Sequence, residues 1–274
     1  MKCIKCQIVS ILLMFLLAAC SQQPKEAEPP ANTSGIRVIK EYYPDGKIKS
    51  ETEAKGKLRH GTSREYRKDG TLENLITYEN NRKQGLAANY YPDGTTIKTE
   101  LNYVNGYKHG EAFWYYPDGS VYRKTPYVNG RINGNRTTYY ESGVLQSETP
   151  YLNGQPGVGL KEYTQDGELK PYDARILIRE IDRISLDKTF TLVLSLSNKS
   201  KSVEFYQGKL TNGAYWNDRL APIPTKNGVA ELSFHISKGT FKMETLNFIA
   251  RDKTRFNHYH ISQKEYHLAV ENKF

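Results

Sequence analysis

Cysteine is nearly absent: three occur in 274 residues, two of them at positions 3 and 6. A disulfide scaffold is therefore excluded. Tryptophan occurs twice, and the only long apolar run, Ile8 to Leu17, is too short to cross a bilayer as a stable helix. Charge is not concentrated either. Ile36 to Lys170 holds 20 basic and 17 acidic residues, so the formal charge of +9 is spread along the chain. Nucleic-acid binding by counterion release needs a concentrated basic stripe, and no nucleic-acid partner is expected. The one local basic cluster, Arg251 to Arg255, reads as a solvated strand edge. Gly-x-Ser-x-Gly, a phosphate loop and a Cys–His pairing are all missing, so no catalytic residue is assigned.

What stands at the N-terminus reads as targeting. Lys2 and Lys5 precede the apolar run, as in a signal peptide. The run ends in Leu17-Ala18-Ala19-Cys20, which resembles the lipobox of bacterial lipoproteins. That resemblance implies that Cys20 is lipidated and becomes the first mature residue. Cleavage removes Cys3, Cys6 and two lysines, so the charge falls from +9 to +7 (9 − 2). Residues 21–35, rich in Pro, Glu and Gln, have tether composition. Ser21 lacks the aspartate associated with inner-membrane retention, and by resemblance the expected location is the outer membrane of a bacterial envelope.

Tyrosine is abundant, 21 against nine phenylalanines, and suits half-exposed strands. It is also periodic. A turn glycine recurs at Gly46, Gly70, Gly94, Gly119, Gly143 and Gly167, at spacings of 24, 24, 25, 24 and 24, the longer one holding an extra residue at Thr95 and Thr96. Four residues before each stands a tyrosine: Tyr42, Tyr66, Tyr90, Tyr115, Tyr139 and Tyr163. The next position varies through Tyr43, Arg67, Tyr91, Tyr116, Tyr140 and Thr164. Pro-Asp-Gly suits a hairpin turn closed by a positive-φ glycine, and Asn-Gly at Asn105-Gly106, Asn129-Gly130 and Asn153-Gly154 supplies a second turn. Neighbouring strand residues face opposite ways. The constant tyrosine is therefore expected in the stack, and Tyr43, Tyr91, Trp114, Tyr116 and Tyr140 outward as a candidate binding surface. On that reading Tyr90→Ala lowers stability by about 3 kcal/mol, and Tyr91→Ala leaves it nearly unchanged.

Tyr103-Val-Asn-Gly-Tyr-Lys-His-Gly110, followed by aromatics and Asp118-Gly119, resembles the MORN (membrane occupation and recognition nexus) repeat, in the bacterial variant found in YwqK-type antitoxins. The resemblance covers roughly Glu41 to Lys170. It implies an elongated antiparallel β-hairpin sheet over residues 36–170, used for binding protein or membrane. A lipid anchor fits poorly with neutralising a cytoplasmic toxin.

After Pro171 the period is lost. Ile176/Ile178, Phe190 to Leu196, Leu232 to Ile236, Leu246 to Ala250 and Leu268/Val270 alternate apolar with polar residues, the pattern of half-buried strands. Residues 171–274 are expected to form a β-sandwich-like domain that covers the open end of the repeat sheet, making the protein all-β. The lone aspartates Asp45, Asp69, Asp93, Asp118 and Asp166 are explained by their turns rather than by calcium. His258 and His260 are expected on an exposed edge, without a metal or other cofactor. Three functions stay open: a scaffold lipoprotein binding an envelope protein through the repeats, a glycan-binding lipoprotein using the sandwich, and a hydrolase hidden in the sandwich.

Overall fold

A computed structural model describes residues 35–273. The signal segment, Cys20 and the tether up to residue 34 lie outside the described residues.

Each repeat is built from two turns. At Tyr43-Pro44-Asp45-Gly46 the Gly46 N–H donates to the Tyr43 carbonyl at 2.9 Å and the Tyr43 N–H to the Lys47 carbonyl at 2.8 Å. Gly46 takes φ +84°, and Asp45 Oδ1 accepts the Lys47 N–H at 3.2 Å. Proline presets the second turn position, and glycine alone enters the left-handed region without a Cβ clash. The same pair of backbone bonds recurs around Gly70, Gly94, Gly119, Gly143 and Gly167. In the third copy the closing bond runs from Tyr91 to Thr96, so the extra residue lies inside this turn. At the opposite end Asn105 (φ +52°) and Gly106 (φ +85°) form a two-residue loop with both φ positive, the geometry that matches strand twist. Asn80 and Asn81 take the same conformation in the second copy, since asparagine tolerates it.

Alternating these turns gives a meander. Its main path runs through Ile36–Tyr42, Ile48–Lys55, Leu58–Tyr66, Leu72–Glu79, Arg82–Tyr90, Ile97–Val104, Gly110–Tyr115, Val121–Val128, Gly134–Tyr139, Leu145–Leu152, Lys161–Tyr163 and Leu169–Lys170. Three two-residue strands pair beside it, giving a 15-stranded sheet. Register fixes two faces. One row of cross-strand partners passes from Lys40 through Glu51, Arg64, Leu75, Ala88, Glu100, Phe113, Lys124, Thr137 and Glu148 to Lys161. A second row, on the opposite face, passes from Glu41 through Ser50, Asn74, Trp114, Arg123, Thr138, Ser147 and Glu162 to Lys170.

The remaining strands form two four-stranded sheets. One joins Ile176–Arg183, Thr189–Leu196, Val229–His235 and Thr225–Lys226; the other joins Ala221–Ile223, Val203–Gln207, Phe241–Lys253 and Tyr259–Glu271. Leu192, Leu194 and Leu196 from the first and Phe205, Leu246, Phe248 and Leu268 from the second share one buried cluster. Leu192, Leu194, Phe248 and Leu268 have no exposed surface at all. Fully burying each such side chain is worth about 1.5–3 kcal/mol, so this is the main core of the molecule, whereas the repeat sheet buries mostly Ala, Ser and Thr.

Candidate binding surface

The position after the constant tyrosine does not face outward in the first five copies. The Tyr43 hydroxyl donates to the Tyr66 carbonyl at 2.6 Å, Tyr91 to Tyr115 at 2.7 Å, Tyr116 to Tyr139 at 2.9 Å and Tyr140 to Tyr163 at 2.8 Å. In the second copy Arg67 replaces tyrosine and donates to the Tyr90 carbonyl at 2.6 Å and the Tyr91 carbonyl at 3.1 Å. Five successive side chains thus tie each copy to the next. Tyr43, Tyr91, Tyr116 and Tyr140 were expected as a contact surface; they are half-buried bolts between repeats. The physical reason is that they begin a turn rather than continue a strand. Strand alternation stops there, and the ring lies along the sheet toward the neighbouring turn.

The constant tyrosines sit on the polar face, that of the row from Lys40 to Lys161, whose members include Glu51, Glu100 and Glu148. Tyr66 donates to Glu51 at 3.0 Å, Tyr115 to Glu100 at 3.3 Å and Tyr163 to Glu148 at 3.0 Å, each across to the preceding copy. Burial first, and then the facing glutamate, push these phenols above their usual pKa. The corresponding position holds Leu75 before Tyr90 and Lys124 before Tyr139, so the glutamate contact occurs in every other copy. Tyr42 has no preceding copy among the described residues and is 56% exposed, contrary to the expectation that it is stacked.

A cation–aromatic file occupies the opposite face. Arg59 lies 4.2 Å from the Tyr78 ring centroid, Lys83 5.0 Å from Tyr103, Lys108 5.2 Å from Tyr127 and Arg136 4.8 Å from Tyr151. The carbonyls of Arg59, Lys83 and Lys108 also accept N–H bonds from Asn81, Gly106 and Gly130. Trp114 is on this face, half-buried, with Arg123 stacked 3.9 Å from its ring, so one face of the indole is already covered. Burial lowers the Arg123 guanidinium's pKa, and the nearby Arg136 charge adds to this.

The exposed apolar groups lie elsewhere. Leu86 (39% exposed), Val104 (43%), Tyr107 (62%) and Val128 (43%) fall on the polar face by register, at its Asn-Gly end. Tyr107 reaches the next copy: a methyl on Gly130 would stand 3.4 Å from Tyr107 Cδ1. Sequence reasoning passed over these residues. The available signal was Val104-Asn-Gly-Tyr107, which sets apolar residues on both sides of a tight turn.

A family model described as MORN repeat variant matches residues 38–55, 59–80, 108–129 and 132–153. The chain carries a MORN-repeat array. The interval 81–107, between the second and third matches, contains the copy lengthened at Thr95 and Thr96. No curated protein matches the chain.

The MORN array meets the sandwich at a buried polar cluster. Glu162, 7% exposed, accepts from Thr254 at 2.8 Å and contacts His258 Nδ1 at 3.0 Å. Behind it His260 stacks on Tyr172 at 3.6 Å, and the Tyr172 hydroxyl donates to Asp252 at 2.9 Å. Ser200 and Ser202 also donate to Asp252. His258 and His260 are therefore not on an exposed edge, because the loop between the two long strands folds onto the array. The Arg251 to Arg255 segment is likewise not simply solvated: Asp252 is 5% exposed, and Arg251 pairs with Glu204 at 2.6 Å beneath Trp216. Among the described residues, no group of three or more His, Cys, Asp or Glu side chains is arranged to hold a metal. Burial raises the Glu162 carboxyl, but hydrogen bonds from His258 and Thr254 and the histidine charges outweigh it, and its pKa is lowered. Burial lowers the pKa of His260.

Asp45, Asp69, Asp93 and Asp118 behave as turn residues, while in the sixth copy the Thr164 hydroxyl accepts the Glu168 N–H. Asp69 and Asp118 accept from the backbone N–H two residues on, and Asp93 accepts from Thr95 and Thr96. The Thr96 hydroxyl and these N–H groups bring Asp93 down to about 2.

Proposed function

We propose that the chain is a non-catalytic, lipid-anchored protein of the bacterial envelope whose MORN array is a scaffold for another envelope protein. The observation that carries this reading is the exposed row Leu86, Val104, Tyr107 and Val128, held on a sheet whose copies are bolted together by tyrosine hydroxyls. Val104 pairs with Tyr107, and Tyr107 reaches Gly130 beside Val128, so these apolar groups adjoin one another on a polar face, the make-up of a protein-binding patch in which tyrosine gives contact area at little rotamer cost. The anchor at Cys20 and the outer-membrane location belong to this proposal and follow from the lipobox resemblance.

The test uses the full-length protein, because Glu162, Thr254 and His258 join the array to the sandwich, and excising the array would expose that joint. Envelope crosslinking with the unmodified chain and with Val104→Asp/Tyr107→Asp is compared by mass. Loss of one near-stoichiometric partner, with unchanged thermal melting, supports the scaffold. An unchanged partner set rejects this patch.

A second reading, glycan binding, is supported by a cleft of about 250 Å³ between array and sandwich, lined by Arg131, Asn153, Gln155, Tyr215, Trp216 and Asp218. Aromatic rings beside planar polar groups suit a sugar. Calorimetry with envelope glycans, compared between the unmodified chain and Gln155→Ala/Asp218→Ala, separates it from the first reading.

A further inference from the structure

We propose that the strand Ile36–Tyr42 pairs with the same strand of a second copy, antiparallel and centred on Ile39. The inference does not depend on the scaffold reading. Ile36–Tyr42 is the end strand of the 15-stranded sheet, and among the described residues no strand pairs with its outer edge. It is seven residues long, contains no proline and exposes Val38 (54%), Ile39 (41%) and Tyr42 (56%). Edges left like this pair with other strands unless a charge, a proline or a bulge blocks them. The lysine that would serve, Lys40, is drawn aside by its ion pair with Glu51 at 3.0 Å.

The backbone fixes which registers are possible. The Tyr43 N–H bonds inward to Lys47, so Glu41, Ile39 and Arg37 also turn their N–H and C=O groups inward. Ile36, Val38, Lys40 and Tyr42 present theirs to the open side. A two-fold pairing must place like beside like, and only registers two residues apart satisfy that. With Ile39 opposite itself, Arg37 falls opposite Glu41 on both sides of the axis, Val38 lies along the Lys40 stem, and Ile36 meets Tyr42. Moving one step toward the C-terminus sets Lys40 against Lys40, a destabilising like-charge pair. Moving one step the other way sets Arg37 against Ile39 and leaves Glu41 opposite Gly35. The charge pattern of this strand is thus self-complementary in one permitted register, which favours a second copy over an unrelated strand.

The prediction is testable by crosslinking the full-length protein. Ile39 would form a non-hydrogen-bonded pair with Cα atoms about 4.5 Å apart, inside disulfide range. Under mild oxidation Ile39→Cys should give a covalent dimer at least about tenfold faster than Val38→Cys. Arg37→Glu should abolish that dimer, and Arg37→Glu combined with Glu41→Arg should restore it. All four positions are on an end strand, so melting of the cysteine variants should match the parent, and the charge variants should lose no more than the exposed Arg37–Gly56 bond and the Ser50–Glu41 bond. Equal rates at the two cysteine positions, or no rescue by the charge swap, would overturn the proposal. So would a chain that stays monomeric because its own residues before 35 cover the edge, or an adduct with a different protein.

Discussion

The hydroxyl of Tyr91 donates to the backbone carbonyl of Tyr115, 24 residues along the chain, at 2.7 Å. That bond spans one repeat, so it reports directly on coupling between copies. Tyr91→Phe keeps the ring and loses the donor, and should lower stability by about 1 kcal/mol, a shift of about 2–4 °C in a chain of this size. Tyr91→Ala also removes a half-buried ring and should cost more, about 2 kcal/mol. A melting temperature unchanged in both variants would deprive the bolt of energetic weight.

Arg67 offers the converse experiment, since it is the one bolt that is not a tyrosine. Its guanidinium reaches the Tyr90 and Tyr91 carbonyls and the Leu72 carbonyl, a fork that an ammonium cannot reproduce. Arg67→Lys should therefore destabilise by about 1–2 kcal/mol. Arg67→Tyr, which restores the side chain of Tyr43 and Tyr91, should lie closer to the parent in thermal melting than Arg67→Lys does.

The turns, the hairpins and the alternating strands after Pro171 were legible because they are local: a Pro-Asp-Gly or a period-two pattern carries its own geometry. The face of each tyrosine was not. Alternation places Tyr90 correctly on a strand, but Tyr91 opens the turn, and its direction is set by a neighbour 24 residues away. The polar cluster was hidden for the same reason, since Glu162 and His258 are 96 residues apart and neither belongs to a motif. Tyr107 escaped notice because tyrosine at a turn reads equally as packing or as exposure until register places it.

The lengthened turn gives a sharp contrast between two glycines of the same class. Gly46 and Gly94 both have positive φ, +84° and +72°, so alanine is strained at either. A Cβ on Gly46 would meet nothing within 4 Å, whereas one on Gly94 would stand 2.8 Å from Thr71 Cβ and 2.9 Å from the Leu72 nitrogen. Gly46→Ala should cost about 1 kcal/mol from backbone strain alone. Gly94→Ala should cost more, by about a further 1–3 kcal/mol of steric displacement, and denaturant titration of the pair measures the difference.

Acidification should loosen the joint between array and sandwich in two steps. His260, packed on Tyr172 and faced by Glu162, Asp252 and His258, has a pKa below its ordinary 6.5. The unfolded chain therefore takes up this proton first, and stability falls as pH drops below 6.5. Glu162 has a folded pKa below its ordinary 4.5, so its contribution is present above 4.5 and is lost on further acidification. Melting temperature should decline as pH falls through 6.5 in the parent and decline less in His260→Phe, which keeps the ring stack and cannot titrate. Glu162→Gln should melt lower than the parent at neutral pH, because its amide is a weaker acceptor for Thr254 and His258, and should flatten the decline below 4.5. A parent curve that is level across the upper range would mean that His260 does not resist protonation in the folded chain.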